Sequence, residues 1–294
     1  MLTRLAWRMG RTLERCPDDA AVLDAYTPDA REAVSDWPLG LDLAVFVTTY
    51  ARPTALARLL DGLAAALARA EGTPTAGGTL TSWRVLVVDD GSSPEAQAAA
   101  RDALSAAIGD RGRYVSACAR GGKQAFWRTH HLLHRLVADR RPRLVLFLQD
   151  DLTLPEDALT RALGIWRSLE GARARVLYLT RMPDDERWGR WIVFPRRVGP
   201  VPEVELTQWF DLSAFLVGPG FFEAMDHRVF PVPRRRWWLR PSLSSGVGEQ
   251  YTLRLRGRGD VFQVRRTVVR TGREPSVMNP GARRRRRLDN YEER

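Results

Sequence analysis

Leu144-Val145-Leu146-Phe147-Leu148-Gln149-Asp150-Asp151 is an apolar run that stops abruptly at two carboxylates. Two other stretches read the same way. Leu43 to Val47 runs into Thr48-Thr49-Tyr50, and Arg84 to Val88 runs into Asp89-Asp90-Gly91-Ser92. A short apolar run with polar ends is the pattern of a strand buried on both faces of a parallel sheet. Such a strand delivers the residues after it to the rim of the sheet, where open α/β sheets bind their ligands. Three hydroxyl or carboxylate clusters on one rim suggest a site for a nucleotide and a divalent metal.

The segments between these runs have helical spacing. After strand 43–48, residues Leu56, Leu59, Leu60, Leu63 and Leu67 form one apolar stripe over 54–70. After strand 84–88, Ser93-Pro94-Glu95 opens a helix over 94–107, with a capping serine and a proline at the first helical position. Strand 113–117 leads through Gly121-Gly122 into helix 123–138, and strand 143–148 leads through the Asp pair into helix 155–169. This alternation predicts an α/β fold with a parallel, doubly wound sheet. Beyond residue 175 the rhythm changes. Strands are expected at 176–179, 188–194 and 210–217, an irregular Arg- and Trp-rich loop at 231–241, and a helix at 246–256. Residues 1–40 read as a short helical extension packed on the core.

The order of these motifs resembles family 2-type glycosyltransferases of the GT-A fold. Thr48-Thr49-Tyr50-Ala51-Arg52-Pro53 is similar to their PTYNR-like segment, and Val88 to Ser92 to their VDDGS segment. Asp150-Asp151-Leu152-Thr153-Leu154-Pro155 is similar to their metal motif, with Leu148 where the first Asp often stands. The likeness runs from about Leu41 to Gly259. It implies a Rossmann-like central sheet, parallel or mixed, flanked by helices. It also implies a division into an N-terminal extension (1–40), a donor-binding half (41–175), an acceptor-binding half (176–272) and a basic C-terminal tail (273–294).

By position, the resemblance assigns Thr48, Tyr50 and Asp90 to the nucleobase and ribose, and Asp150 with Asp151 to Mn²⁺ or Mg²⁺. The residue chemistry suits these roles. A carboxylate accepts from a base N–H, an aromatic face covers a ring, and hard divalent cations take carboxylate and phosphate oxygens. Asp-Gly is equally a turn dipeptide, so Asp89-Asp90-Gly91 also reads as an ordinary turn. The Asp pair also reads as a helix cap. Gly121-Gly122-Lys123 resembles a family segment that leads into a helix, with Arg128 in place of its Asn. Lys123 at a helix start suits a phosphate. Gly248-Glu249-Gln250-Tyr251-Thr252-Leu253-Arg254 resembles the family's segment for the general base, with Gln250 where Asp is commonest. Glu249 is then the nearest group able to take a proton, and Asp211 is the second candidate. His130 and His134 stand one helical turn apart without the Glu or Cys that a zinc site would add. Trp188, Trp191, Trp209, Trp237 and Trp238 are either core or platforms for a sugar.

Composition narrows the class. The chain has 294 residues, 44% of them hydrophobic, enough for a substantial core, and a net charge of +11. No apolar run approaches the ~20 residues of a membrane span. Nor does the start, Met1 to Arg8, have a sustained apolar stretch and cleavage site. A soluble cytoplasmic protein is expected. Cys16 and Cys118 are too few for a disulfide framework. The charge comes from arginine, since Lys123 is the only lysine, and Arg234 to Arg236 and Arg283 to Arg287 are local runs. These reflect either base composition or affinity for phosphate-bearing partners. The activity that the resemblance implies is a metal-dependent, inverting transfer from a nucleotide-diphosphate sugar to an acceptor hydroxyl, and the charge adds the expectation of an anionic acceptor. That acceptor is nucleic acid, such as DNA with a hydroxylated base, or a phosphate-bearing lipid or glycan, and a lipid-linked glycan, lipopolysaccharide or protein acceptor is equally open. The rival readings are a nucleotidyltransferase, disfavoured by the lack of glycine in Thr48 to Pro53, and an arginine-rich nucleic-acid-binding protein without transferase activity.

Overall fold

A computed structural model of the chain describes residues 18–75, 78–169, 176–180, 197–207, 212–233, 237 and 245–271. The expectations for 188–194, the two Arg runs, Cys16, Asp211, Trp188, Trp191, Trp209 and Trp238 lie outside them. In chain order the elements are α1 (Asp19–Leu23), β1 (Tyr26–Thr27), α2 (Ala30–Ala33), β2 (Leu43–Thr49), α3 (Pro53–Ala70), β3 (Pro74–Thr75), β4 (Gly78–Thr79), β5 (Trp83–Asp89), α4 (Pro94–Ile108), β6 (Gly112–Ala117) and α5 (Gly122–Arg140). They continue as β7 (Leu144–Gln149), β8 (Leu152–Thr153), α6 (Ala158–Ser168), β9 (Val176–Tyr178), β10 (Arg197–Val198), β11 (Val204–Thr207), β12 (Ala214–Val217), α7 (Pro219–Ala224), α8 (Val247–Leu255), β13 (Val261–Val264) and β14 (Arg270–Thr271).

Ten strands form one sheet in the order β1-β6-β5-β2-β7-β12-β9-β13-β11-β10. The four strands β6, β5, β2 and β7 are mutually parallel, which is the doubly wound part expected from the sequence. From β2 the chain steps outward to β5 and β6, then crosses back through α5 to place β7 on the other side of β2. The order reverses between β2 and β7, and a crevice opens at the carboxyl ends of strands that diverge in this way. β12 then enters antiparallel between β7 and β9, so the sheet as a whole is mixed.

Alternation along each strand divides the core. Leu43, Val45 and Val47 face one layer with α3, α4 and α6, whereas Ala44 and Phe46 face the other with α5, α7 and α8. β5 and β7 repeat the split, with Val85, Val87, Leu144, Leu146 and Leu148 on the first face and Leu86, Val88, Val145 and Phe147 on the second. Fully apolar strands are therefore what a sheet covered on both sides requires. The helix over 94–107 is observed as α4, and the Ser93 hydroxyl accepts from the Ala96 N–H as its cap. The helix expected at 155–169 begins only at Ala158, because Leu152–Thr153 pairs with β14 first.

At the amino end of β2, away from the crevice, Asp42 is buried. Its carboxylate accepts from the Thr81 and Ser82 N–H groups (3.0 and 2.9 Å) and from both hydroxyls (2.9 and 3.0 Å). Burial opposes this charge, and the four donors outweigh it, so the carboxyl is held below its ordinary value. Asp42→Ala strands those donors and is expected to lower the unfolding free energy by about 2 kcal/mol. Urea denaturation measures this, and an unchanged midpoint would mean the four donors find other partners.

Candidate active site

The loops after β2, β5 and β7 are tied together at the crevice. The backbone N–H of Asp90 donates to the Thr49 carbonyl (3.0 Å), and that of Asp150 to the Thr48 carbonyl (3.1 Å). The Ala51 N–H donates to Ser92 Oγ at 2.7 Å. Thus Thr48, Tyr50, Asp90, Asp150 and Asp151, chosen separately from three motifs, end in one place. Thr48 itself only reaches toward the Leu148 carbonyl, at 3.5 Å. Its neighbour Thr49, which the sequence did not single out, makes the tighter contact, donating to Asp150 Oδ2 at 2.8 Å.

The two carboxylates of Asp89-Asp90 do different things. Asp89 is buried and accepts from the Ser92 N–H (2.6 Å), Ser92 Oγ (2.5 Å) and Ser116 Oγ (2.9 Å). It is the turn residue. Asp90 accepts from the Gly121 and Gly122 N–H groups (3.1 and 2.6 Å) at the start of α5. Burial raises its pKa above the usual carboxylate range, aided by Asp89, although the two amides and Arg120 pull it down. Gly121 and Gly91 are sterically required. A Cβ on Gly121 would lie 2.9 Å from Asp90 Oδ1 and 2.6 Å from the Ala125 Cβ. Gly91 has φ +79°, and a Cβ there would come within 2.7 Å of the Ala119 backbone. The Gly121-Gly122-Lys123 segment therefore directs these amides at Asp90. Lys123 follows in the first turn of α5.

Asp90 forms one wall of a pocket of about 110 Å³ whose other walls include Tyr26, Ala117, Cys118, Gly121 and Arg128. Tyr26 comes from the N-terminal extension, placed by β1 pairing antiparallel with β6 and held by its hydroxyl against Thr129 Oγ1 at 3.0 Å. Nearby, the Arg120 guanidinium stacks over the Tyr50 ring at 4.5 Å. A flat ring with a polarisable face is the kind of group that such a tyrosine–arginine plate and a carboxylate receive.

Asp150 and Asp151 are both buried at the end of β7. Asp150 Oδ2 accepts from Thr49 Oγ1 and, at 3.3 Å, from the Tyr50 N–H. Its Oδ1 pairs with Arg52 Nη1 at 3.3 Å, and the same nitrogen stands 3.7 Å from Asp151 Oδ2. Burial pushes the Asp150 carboxyl up to about 6, with Asp151 adding to the rise and Thr49, Arg52 and Tyr50 opposing it. A divalent cation needs carboxylate oxygens turned toward it. Here both Asp150 oxygens already have protein donors, and a guanidinium lies against both side chains. Among the described residues no group of three or more His, Cys, Asp or Glu side chains could hold a metal ion. Asp150 and Asp151, where Mn²⁺ or Mg²⁺ is expected, form an ion triad with Arg52 in this structure.

Glu249 is half-buried in the first turn of α8. Gln250, in the place where Asp is commonest, is buried and structural. Its amide donates to the Phe230 carbonyl (2.6 Å) and accepts from the Phe230 N–H (3.0 Å). Arg254 is likewise spent, donating to the Arg228 carbonyl at 2.5 Å, to the Met225 carbonyl and to Asp226. His130 and His134 both hydrogen-bond the Tyr251 hydroxyl, at 3.0 and 2.9 Å. Trp237 is buried.

No protein-family model matches the chain, and no curated protein is significantly similar to it. Among solved structures, it is similar to residues 1–349 of TarS from S. aureus, at 14% identity over 79% of this chain and 60% of that one, with a TM-score of 0.49. It is also similar to the mannosyltransferase PcManGT from Pyrobaculum calidifontis, in complex with GDP-Man and Mn²⁺, at 14% identity over 77% of this chain and 56% of that one, with a TM-score of 0.45. A longer TarS structure has 15% identity over 76% of this chain and 36% of that one, with a TM-score of 0.43. The chain spans less than two thirds of each of these proteins. At such TM-scores the likeness decides nothing about activity, which has to come from the residues themselves. Among the described residues no helix is long and apolar enough to cross a membrane.

Proposed function

We propose that the chain is a glycosyltransferase that takes a sugar from a nucleotide-diphosphate donor. The observation that supports this best is the convergence of Tyr50, Asp90 and the Arg52–Asp150–Asp151 triad on the crevice where the strand order reverses. Dinucleotides and nucleotides bind at such switch points because strand ends and loop amides there face open space. The base would lie against Tyr50 and Asp90, in or beside the pocket lined by Tyr26 and Arg128. The donor's diphosphate would extend toward Arg52. On the other side, Glu249 would remove the proton of an acceptor hydroxyl, which attacks the anomeric carbon opposite the nucleotide, with inversion. Asp211, outside the described residues, is the alternative base. The excess of arginine, +11 overall, supports an anionic acceptor, nucleic acid or a phosphate-bearing lipid or glycan.

A thermal-shift screen of nucleotides and nucleotide sugars tests the donor assignment, since a ligand that binds only the native state raises Tm with its affinity. Flat melting curves across the whole set would remove the reading. If a nucleotide binds, Asp90→Ala should weaken it by about 1.5–3 kcal/mol, the worth of a hydrogen bond to a charged group. Calorimetry giving equal affinities for the two proteins would take Asp90 out of the base site.

A further inference from the structure

We propose that Arg52 is the resident cation of the Asp150–Asp151 pair, so that this protein takes no divalent metal there and binds its nucleotide without one. The proposal rests on the donor-site reading above and adds to it the source of positive charge. Three observations support it. Asp150 and Asp151 are both buried, and two adjacent buried carboxylates need a neutralising charge. One guanidinium nitrogen already lies 3.3 Å from one carboxylate and 3.7 Å from the other, on a side chain only 12% exposed. The other Asp150 oxygen is held by Thr49 Oγ1 at 2.8 Å and by the Tyr50 N–H, which fixes the carboxylate with its Oδ1 toward Arg52, so a metal would have to compete with the guanidinium for that oxygen.

The position of Arg52 in the chain makes it a fixed charge. It is the residue before Pro53, which opens the 18-residue helix α3, and its side chain does not cap that helix. The backbone on either side is pinned. The Tyr50 N–H is held by Asp150, the Ala51 N–H by Ser92, and the Arg52 carbonyl accepts from the Leu56 N–H at 3.0 Å. A side chain rooted between two pinned points at the mouth of the crevice faces the same place as a donor's diphosphate. Arginine pairs with carboxylate and phosphate through parallel N–H groups, which suits it to stand between the two. Arg52 is a positioning residue: it holds Asp150 and Asp151 and supplies charge to the ligand, with no part in bond breaking.

The test reads metal binding directly. Mn²⁺ is titrated into the full chain, and free Mn²⁺ is followed by electron paramagnetic resonance. The wild-type protein should leave the free-ion signal unchanged. Arg52→Met should acquire a Mn²⁺ site, with affinity at least ~10-fold above wild type, because no guanidinium then competes with a hard cation for the two carboxylates. Arg52→Lys should restore the wild-type result. In parallel, thermal shifts of the wild-type protein with UDP, GDP, ADP and CDP are compared in EDTA and in Mn²⁺. The nucleotide that binds should do so within about twofold in both conditions. Mn²⁺ binding by the wild-type protein alone, or a nucleotide shift seen only with Mn²⁺, overturns the role of Arg52 and leaves the donor site standing. No shift with any nucleotide in either condition overturns both. If Arg52→Met fails to fold, the wild-type titration and the EDTA comparison still decide the matter.

Discussion

Glu249→Gln is expected to keep nucleotide-sugar binding and lose transfer by about 10²- to 10⁴-fold, the usual share of general-base catalysis. The substitution keeps the size and hydrogen-bonding capacity of the side chain and removes only its ability to take a proton. The segment around it explains why the burden falls there. Gln250 pairs with both backbone groups of Phe230, and Arg254 donates to the carbonyls after α7, so neither side chain is available for chemistry. Single-turnover transfer with the cognate donor and acceptor measures the loss, and calorimetry of donor binding separates it from misfolding. If Glu249→Gln is active and Asp211→Asn is dead, the proton goes to Asp211. If both remain active, the acceptor side is elsewhere.

The sequence revealed the parts of this fold that follow from local pattern. Apolar runs such as Leu43 to Val47 and Leu144 to Leu148 are legible because a strand covered on both faces has no polar side to hide. Ser93-Pro94 is legible because a cap and a first-turn proline are short-range chemistry. The pairing of β12 between β7 and β9 was not legible, since strand order depends on contacts between residues far apart in the chain. The split of Asp89-Asp90 is a similar case. Both are carboxylates at a strand end, and only the amides of Gly121 and Gly122, some thirty positions away, single out Asp90. The role of Arg52 is not legible in the first motif, because its partners lie about a hundred residues later. A hint was present: the helix opening at Pro53 has a cation before it where a capping Ser, Thr, Asp or Asn is preferred. Gln250 was read as a weakened motif, but it is a core residue that satisfies a backbone with no strand partner.

Acidification from pH 6 to 4.5 is expected to cost this protein about 2 kcal/mol of stability through His130 alone, with His134 acting in the same direction. Both imidazoles are buried in an aromatic layer. His130 lies between Phe126 (4.8 Å, edge-on) and Phe147 (5.6 Å, stacked), and His134 against Phe221 and Phe222. Burial lowers the pKa of His130 to about 3 and that of His134 well below its ordinary value, with His130 and Arg254 adding to the latter. The sign follows from the two states. Unfolded imidazoles bind protons as pH falls through about 6.5, whereas the folded ones stay neutral. The unfolded state therefore holds more protons, and the stability present above pH 6.5 is lost progressively below it. One proton, that of His130, at about 1.4 kcal/mol per pH unit over 1.5 units gives the figure above. Neutrality is also what the hydrogen bonds need. The Tyr251 hydroxyl has one proton, which it can donate to one ring while accepting from the other. Two imidazolium rings around it would leave like charges in an apolar layer. Carboxylates titrate in the same range, Asp150 with the opposite sign, so the test is a difference. His130→Phe fits the stack with Phe126 and Phe147 and removes one titrating group. Urea denaturation of both proteins between pH 6 and 4.5 should show the variant losing stability more slowly, by about 1.4 kcal/mol per pH unit. Parallel lines for the two proteins would mean that His130 is already protonated in the folded state.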